Sequence, residues 1–428
     1  MELSELYKIF LQSTGVCTDT RGLAPGNIFF ALKGDNFNGN EYAIKAIESG
    51  ASYAVIDEPG ALAHPRFILT SQVLKTLQDL AKMHRQQFRI PFIAITGSNG
   101  KTTTKELAHA VLSTHFKTYT TSGNLNNHIG IPLTLLRVNA DAQMAIVEMG
   151  ANHLHEIEGY CRYALPTHGL ITNCGKAHLE GFGSTENIMK GKGELFDFIR
   201  ETGGSVFINN DYDYLLKLSK GISTQVSYGT KNADYTGEPI SSTDGFLEVK
   251  VTKGAQLPRI KTQLVGDYNL PNVLAAIAMG KTFGVPDEKI QKALQEYAPS
   301  NSRSQMIEKN GAKIILDAYN ANPSSMQAAI ANFGKMHGGP KYVFLGGMKE
   351  MGAESKQEHL ALINLLKSYT WEKVVLVGKE FSEVPAPFVH VEKVEDARPW
   401  LKKIPMEGAR ILIKGSRGIS MEKLLEGF

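Results

Sequence analysis

The sequence is short of several things. Of its 428 residues only three are cysteine (Cys17, Cys161, Cys174), far apart and with no CxxC pair. They supply neither a disulfide framework nor a cysteine-based zinc site, and they suit a reducing compartment. No apolar run approaches the roughly 18 residues of a membrane-spanning helix. The opening MELSELYKIF carries two acids and lacks the apolar core of a signal peptide. The expectation is a cytoplasmic chain without stable membrane insertion. Charge of one sign is missing too: 46 Lys+Arg against 43 Asp+Glu leaves +3. Over this length that is too little for a general nucleic-acid binder. GxSxG and any recognisable Cys–His arrangement are absent, so the usual nucleophilic hydrolases are excluded.

What is present is the mix of a globular protein, 42% hydrophobic and 21% charged. At roughly 150 residues per domain the length allows about three domains. Residues 1–88 alternate short apolar runs (28–32, 54–56) with Gly/Asn/Asp turns. They close on a helix whose Val73, Leu77, Leu80, Ala81, His84 and Phe88 share one face. Arg89-Ile90-Pro91 breaks that helix, because a residue before proline avoids the α region. Residues 89–301 carry buried-type strands at 92–96, 144–149, 168–173 and 205–208, with helices between them, notably 101–114 and 185–200. Such alternation implies a mainly parallel sheet covered on both faces. The Thr/Gly-rich piece 229–262 reads as a small antiparallel insertion. Residues 302–428 repeat the alternation, with strands at 313–319, 342–346, 373–377 and 410–414. The fold class is therefore α/β, with a small α/β unit, a central parallel-sheet unit and a C-terminal Rossmann-like unit.

One motif carries chemistry by itself. Residues 92–105 read FIAITGSNGKTTTK: a strand, a glycine turn, then Lys-Thr-Thr opening a helix. Gly97, Ser98, Asn99 and Gly100 bring backbone N–H groups to phosphate oxygens, and the helix N-terminus adds partial positive charge. Lys101 reaches the β/γ-phosphates, Thr102 can ligate Mg²⁺, and Thr103 follows it. The pattern departs from GxxxxGK[ST] in having Ile95 at the first glycine's position. A second acid for the metal is expected at a strand tip, and Glu148 ends the run Ala145-Ile146-Val147.

Further stretches give a resemblance. TGSNGKTTTKE (96–106), GNLNNHIGIPLTLL (123–136), EMGANHLHEI (148–157), AHLEGFGS (177–184), KGELF (192–196), GDYNLPNVLAA (266–276), LDAYNANPSSM (316–326), GGMKEMGAES (346–355) and KGSRG (414–418) together closely resemble the Mur ligase family. These are ATP-dependent amide-forming ligases of peptidoglycan precursor synthesis. The resemblance is strongest to the branch that adds D-alanyl-D-alanine to UDP-N-acetylmuramoyl-tripeptide. It implies a UDP-substrate domain (1–88), a central ATPase (89–301) and a C-terminal Rossmann-like domain (302–428), acting as a monomer on those two substrates and ATP.

The resemblance also assigns residues. Thr102 and Glu148 would hold one Mg²⁺, and His178 and Lys192 a second. Ammonium cannot ligate a cation; the resemblance implies that Lys192 acts there as a CO₂-derived carbamate. Lys101, Glu148, His178 and Lys192 form the expected catalytic set. Asn272 would reach adenine or ribose, Arg303 the phosphates and Asp317 the ribose hydroxyls. Arg303 follows Ser302, where the family often has glycine. Asn126 and Asn127 would contact the substrate peptide, and Tyr319 and Asn320 the dipeptide. Thr20, Arg21 and Lys33 would hold the uridine diphosphate. Lys414, Ser416 and Arg417 offer a further strand-tip anion site. The stretch Tyr319-Asn320-Ala321-Asn322-Pro323 lacks the arginine that would grip a second carboxylate bidentately, which favours a dipeptide amine. Two other readings stay open: a different Mur ligase or a folylpolyglutamate-synthase-like ligase, and, from another class, a P-loop regulatory NTPase.

Overall fold

The computed structural model describes residues 1–58, 64–240, 245–300 and 302–426. Residue 301, the end of the second expected segment, and 241–244, within the expected insertion, lie outside the described residues.

Four short parallel strands, Val16–Cys17, Ile28–Phe30, Tyr53–Ile56 and Phe67–Leu69, form the first sheet in that order. Ile28, Phe29 and Phe30 are all buried, because a parallel sheet is covered on both faces. The helix Val73–Arg85 buries the expected stripe Val73, Leu77, Leu80, Ala81 and His84, while Phe88 lies beyond its end. Its last residue, Arg85, is also buried. The guanidinium donates to the carbonyls of Ala164 (3.0 Å) and Leu165 (2.8 Å) and lies 3.7 Å from the Phe92 ring centre. Those carbonyls end the helix Glu156–Ala164, where the helix dipole favours a cation. His84 Nε2 meets the Val138 carbonyl at 2.7 Å. The first sheet's closing helix is thereby fastened to the second unit.

The central sheet has nine strands, in the order Ile260–Val265, Phe246–Lys253, Tyr235–Ile240, Thr224–Gly229, Ser205–Asn209, His168–Ile171, Phe92–Thr96, Met144–Glu148, Thr118–Thr120. From Tyr235–Ile240 onward the neighbours pair in parallel. Only the last two strands to join, Phe246–Lys253 and Ile260–Val265, pair antiparallel. The segment expected as a separate antiparallel insertion is thus an extension of the main sheet. Tyr228 and Gly229 pair with Tyr235 and Thr236, a continuity that alternation along the sequence does not encode.

The third sheet runs Gln305–Lys309, Ala312–Asp317, Arg410–Lys414, Lys341–Gly346, Lys373–Val377, Val389–Val391. All neighbours are parallel except the opening hairpin. Its central strands are apolar and buried, as a doubly wound sheet requires. Among the described residues no helix is long and apolar enough to cross a membrane.

Candidate active site

The buried strand Phe92–Thr96 ends in the glycine turn, and the helix Lys101–Leu112 starts directly after it. Gly97 (φ 138°) and Gly100 (φ 80°) both have positive φ, which a side chain would strain. A Cβ on Gly100 would stand 2.6 Å from Asn272 Oδ1. Asn272 therefore lies against the turn, accepting from Thr104 Oγ1 (3.0 Å) and donating to Asn269 Oδ1 (2.9 Å). The turn is latched to the next strand's tip. Ser98 Oγ donates to the Gly175 carbonyl (2.6 Å) and Thr172 Oγ1 to that of Asn99 (2.6 Å). Lys101 Nζ folds back onto the carbonyls of Gly97 (2.6 Å) and Ser98 (3.1 Å). Burial lowers its pKa to about 8; attraction to Glu148 opposes the shift and the charge of Arg303 adds to it. Those two carbonyls stand in for anionic oxygens, which would hold the ammonium better.

Glu148 is 1% exposed at its strand tip. Its Oε1 accepts from Thr102 Oγ1 (3.1 Å) and Asn126 Nδ2 (2.8 Å), while its buried Oε2 has no partner. An unpaired carboxylate oxygen away from water is costly. Beside a threonine hydroxyl at a phosphate loop, it suits a hard divalent cation. The strand tip is itself held: Lys105 Nζ donates to the Thr121 carbonyl (2.7 Å), and Thr121 Oγ1 accepts from the Glu148 N–H (3.0 Å).

Lys192, on the helix Thr185–Thr202, is 1% exposed. Its Nζ donates to the Ala151 carbonyl at 2.8 Å and stands 5.0 Å from the Phe182 ring centre. Burial first, then repulsion from Lys101, lowers its pKa to about 7. A lysine so depressed carries a neutral amine near neutral pH, the form that reacts with CO₂, so the residue fits a carbamate. His178, in the left-handed region (φ 54°), pairs through Nδ1 with Glu350 of the third unit. Among the described residues no three His, Cys, Asp or Glu side chains are grouped to share a metal ion.

The third unit supplies the facing wall. Arg303 stacks 3.6 Å above the Tyr319 ring centre, and its Nε is buried without a partner. Asp317 accepts from the Ser304 N–H (3.1 Å) and from Lys414 Nζ (2.6 Å). Asn320 turns its Oδ1 to the Ala321 N–H (2.9 Å). Ser416 Oγ accepts from the Lys349 N–H (2.9 Å) and donates to the Ala321 carbonyl (3.3 Å). Asn322 caps the helix Pro323–Lys335 and donates to Asn99 Oδ1 of the phosphate loop at 2.7 Å.

These walls enclose a cavity of about 780 Å³. Ser98 to Thr103, Glu148, Asn126, Asn127, His178, Asn272, Arg303, Asp317, Tyr319, Asn320, Lys414 and Arg417 all line it. Gly97 and Lys192 are not part of that lining. Asn127 is partly occupied in holding the helix Gly130–Leu135, accepting from the Gly130 N–H at 2.9 Å. Thr20, Arg21 and Lys33 lie away from it. Arg21 is paired with Asp19 (2.5 Å), and Lys33 with Asp57 (2.9 Å) and Glu58 (2.7 Å). These three are thus not among the residues lining the cavity with the phosphate loop. Sequence reasoning gave no role to Glu350, Tyr212 or Tyr214. Glu350 lies in the quoted GGMKEMG stretch; the two stacked tyrosines (5.3 Å between ring centres) had no motif to mark them.

Comparison with known proteins follows the same division. The chain matches the model of the Mur ligase family catalytic domain over 12–94. It matches the Mur ligase middle domain over 95–280 and the Mur ligase glutamate ligase domain over 302–417. It is 34% identical to the UDP-N-acetylmuramoyl-tripeptide–D-alanyl-D-alanine ligase of Bacillus subtilis, covering 96% of this chain and 92% of that one. Among solved structures it superposes on MurF from Acinetobacter baumannii with a TM-score of 0.88 at 28% identity, covering 98% and 97% of the two chains. It superposes equally on MurF ligase from Thermotoga maritima in complex with ADP, with a TM-score of 0.88 at 25% identity over 98% and 97%.

Proposed function

Since the chain belongs to the Mur ligase family, we infer that it is an ATP-dependent ligase joining D-alanyl-D-alanine to UDP-N-acetylmuramoyl-tripeptide in peptidoglycan precursor synthesis. The observation that carries this reading is the convergence, in one cavity, of the phosphate loop, the Thr102–Glu148 pair and the third unit's Arg303. A carboxylate is a poor acyl electrophile. The γ-phosphoryl moves from ATP to a substrate carboxylate oxygen, releasing ADP and leaving an acyl phosphate. The dipeptide amine then attacks the carbonyl carbon, the C–O bond to phosphate breaks, the nitrogen loses its proton, and the amide remains. Phosphoryl transfer needs placed charge more than a nucleophilic side chain, and the cavity wall is of that kind.

In this reading Lys101 leaves the loop carbonyls for the β/γ-phosphates. Thr102 Oγ1 and Glu148 Oε2 hold a Mg²⁺, which neutralises phosphate charge when bound. The orphan Oε2 supports this. A second Mg²⁺ falls to His178 and to Lys192 as its carbamate. The depressed Lys192 pKa supports the modification, and His178 would have to release Glu350 to take a metal. Arg303 faces the phosphates, and Asn272 and Asp317 the nucleoside. Asn126 holds Glu148 while presenting its edge to the peptide. Thr20, Arg21 and Lys33 take the uridine diphosphate at the far end of the substrate, with Arg21 and Lys33 exchanging their carboxylate partners for it. The domains run 1–88, 89–301 and 302–428, supported by one large sheet in each. The reading takes the enzyme as a cytoplasmic monomer.

The test is a product assay with ATP, Mg²⁺, D-alanyl-D-alanine and UDP-muramyl tripeptides carrying either lysine or diaminopimelate, read by mass. The expected product is the tripeptide nucleotide plus the dipeptide minus water. Product with a single amino acid but none with the dipeptide would replace this reading by another ligase of the family.

A further inference from the structure

Arg303 sits in an unusual frame. Ser302 (φ 55°) and Ser304 (φ 49°), on either side of it, are both in the left-handed region, where residues other than glycine are strained. Such strain persists only where the surroundings fix it. Here the Ser302 carbonyl accepts from the Tyr319 N–H (3.2 Å), the Ser304 N–H donates to Asp317 Oδ1 (3.1 Å), and the Ser304 hydroxyl meets that of Tyr268 (2.8 Å). The backbone is pinned, but the long side chain is not. Its guanidinium rests 3.6 Å above the Tyr319 ring centre, and Arg417 stands 5.4 Å from the same centre. All three residues line the cavity. The contact is made by the ring's face.

We propose that Tyr319 is a positioning residue: its ring is the platform that holds the Arg303 guanidinium in place for the nucleotide's phosphates. This departs from the sequence expectation that Tyr319 touches the dipeptide, and it rests on the reading of Arg303 as a phosphate ligand. An arginine on an aromatic face keeps its N–H edges free while losing much of its rotational freedom. The buried, unpartnered Nε of Arg303 is the edge left over. Arg417 shares the ring at longer range, so the platform spaces two cations that would otherwise repel.

The experiment is a double-mutant cycle on the full chain, read by titration of a non-hydrolysable ATP analogue with Mg²⁺ and by steady-state kinetics. Tyr319→Phe should bind the analogue as the unaltered chain does. Tyr319→Leu should bind it about tenfold more weakly, the range of a desolvated cation–π contact, with the KM for D-alanyl-D-alanine unchanged. The pair Arg303→Ala and Tyr319→Leu together should be no weaker than Arg303→Ala alone. Additive losses would overturn the platform. So would a Phe variant as impaired as Leu, or a raised dipeptide KM with analogue binding intact, which would make the hydroxyl or ring a substrate contact. If Tyr319→Leu does not fold, the unbranched Tyr319→Met takes its place in the cycle. Nucleotide affinity does not depend on amide formation, so the cycle decides the platform even if the product assay were to fail.

Discussion

Lys192 is an amine kept from water, and that decides when it can react. With its pKa near 7, the ammonium predominates below that pH and has no lone pair to offer CO₂. Above it the neutral amine forms an N–C bond to CO₂, sheds one proton and gains a carboxylate whose single negative charge is shared by two oxygens. In ¹³C-bicarbonate a carbamate resonance should therefore grow from pH 6 to pH 8, and it should be missing from Lys192→Ala. The same variant should lose at least about tenfold in amide formation and recover part of it with added short carboxylates. No carbamate signal at pH 8 would remove Lys192 from the metal site. Lys101→Ala should abolish ATP turnover while the melting temperature moves by only a few degrees, since Lys101 donates only to two loop carbonyls. Persistent turnover would refute the phosphate-loop role. The sequence makes Lys101, Thr102 and Glu148 legible because each lies at a fixed offset from a strand end. Burial of Lys192 was not legible, because KGELF reads equally well as a solvated helix face. The partners of Lys33 were hidden too. Asp57 and Glu58 come from a strand end distant in sequence from Lys33, and only folding makes them neighbours.

At the scale of elements, the glycine turn is the least tolerant piece of the central sheet. Gly100→Ala would combine a φ of 80° with a Cβ close against Asn272 Oδ1. The expected cost is about 1–2 kcal/mol in stability, read as a lower melting temperature, together with weaker nucleotide binding as Asn272 is displaced. Unchanged affinity would show that the turn does not need its left-handed residue. Strands and helices were largely readable from apolar runs, because buried parallel strands carry apolar residues on both faces. Two elements escape this rule for different reasons. Gln305–Lys309 is only half buried at a sheet edge, so it has no apolar run to announce it. Tyr235–Ile240 and its neighbours alternate like a free hairpin, and only hydrogen bonding to Thr224–Gly229 makes them part of the main sheet.

For the whole molecule, the two-substrate requirement follows from how the cavity is walled. Its floor belongs to the central unit, and its opposite wall comes with the third, joined at Asn99–Asn322, His178–Glu350 and Lys176–Glu358 (2.6 Å). Phosphate release should therefore need both the nucleotide peptide and the dipeptide. Equal release with ATP alone would sink the ligase reading and favour a regulatory NTPase. The three-unit plan was legible from length and alternation, but the contacts between units were not, since hydrogen bonds such as His84–Val138 and Asn99–Asn322 pair residues 54 and 223 positions apart. One of those joints is unlike the others. Arg85 is buried, capped onto two helix carbonyls and stacked on Phe92, whereas the third unit is held at the cavity rim by hydrogen bonds and ion pairs. In mechanical terms the first unit is a vice bolted to the bench that carries the phosphate loop. Under the proposed function, an acid substrate gripped by the first unit would sit in the same frame as the phosphate donor, so its carboxylate would be aligned with ATP before the amine arrives.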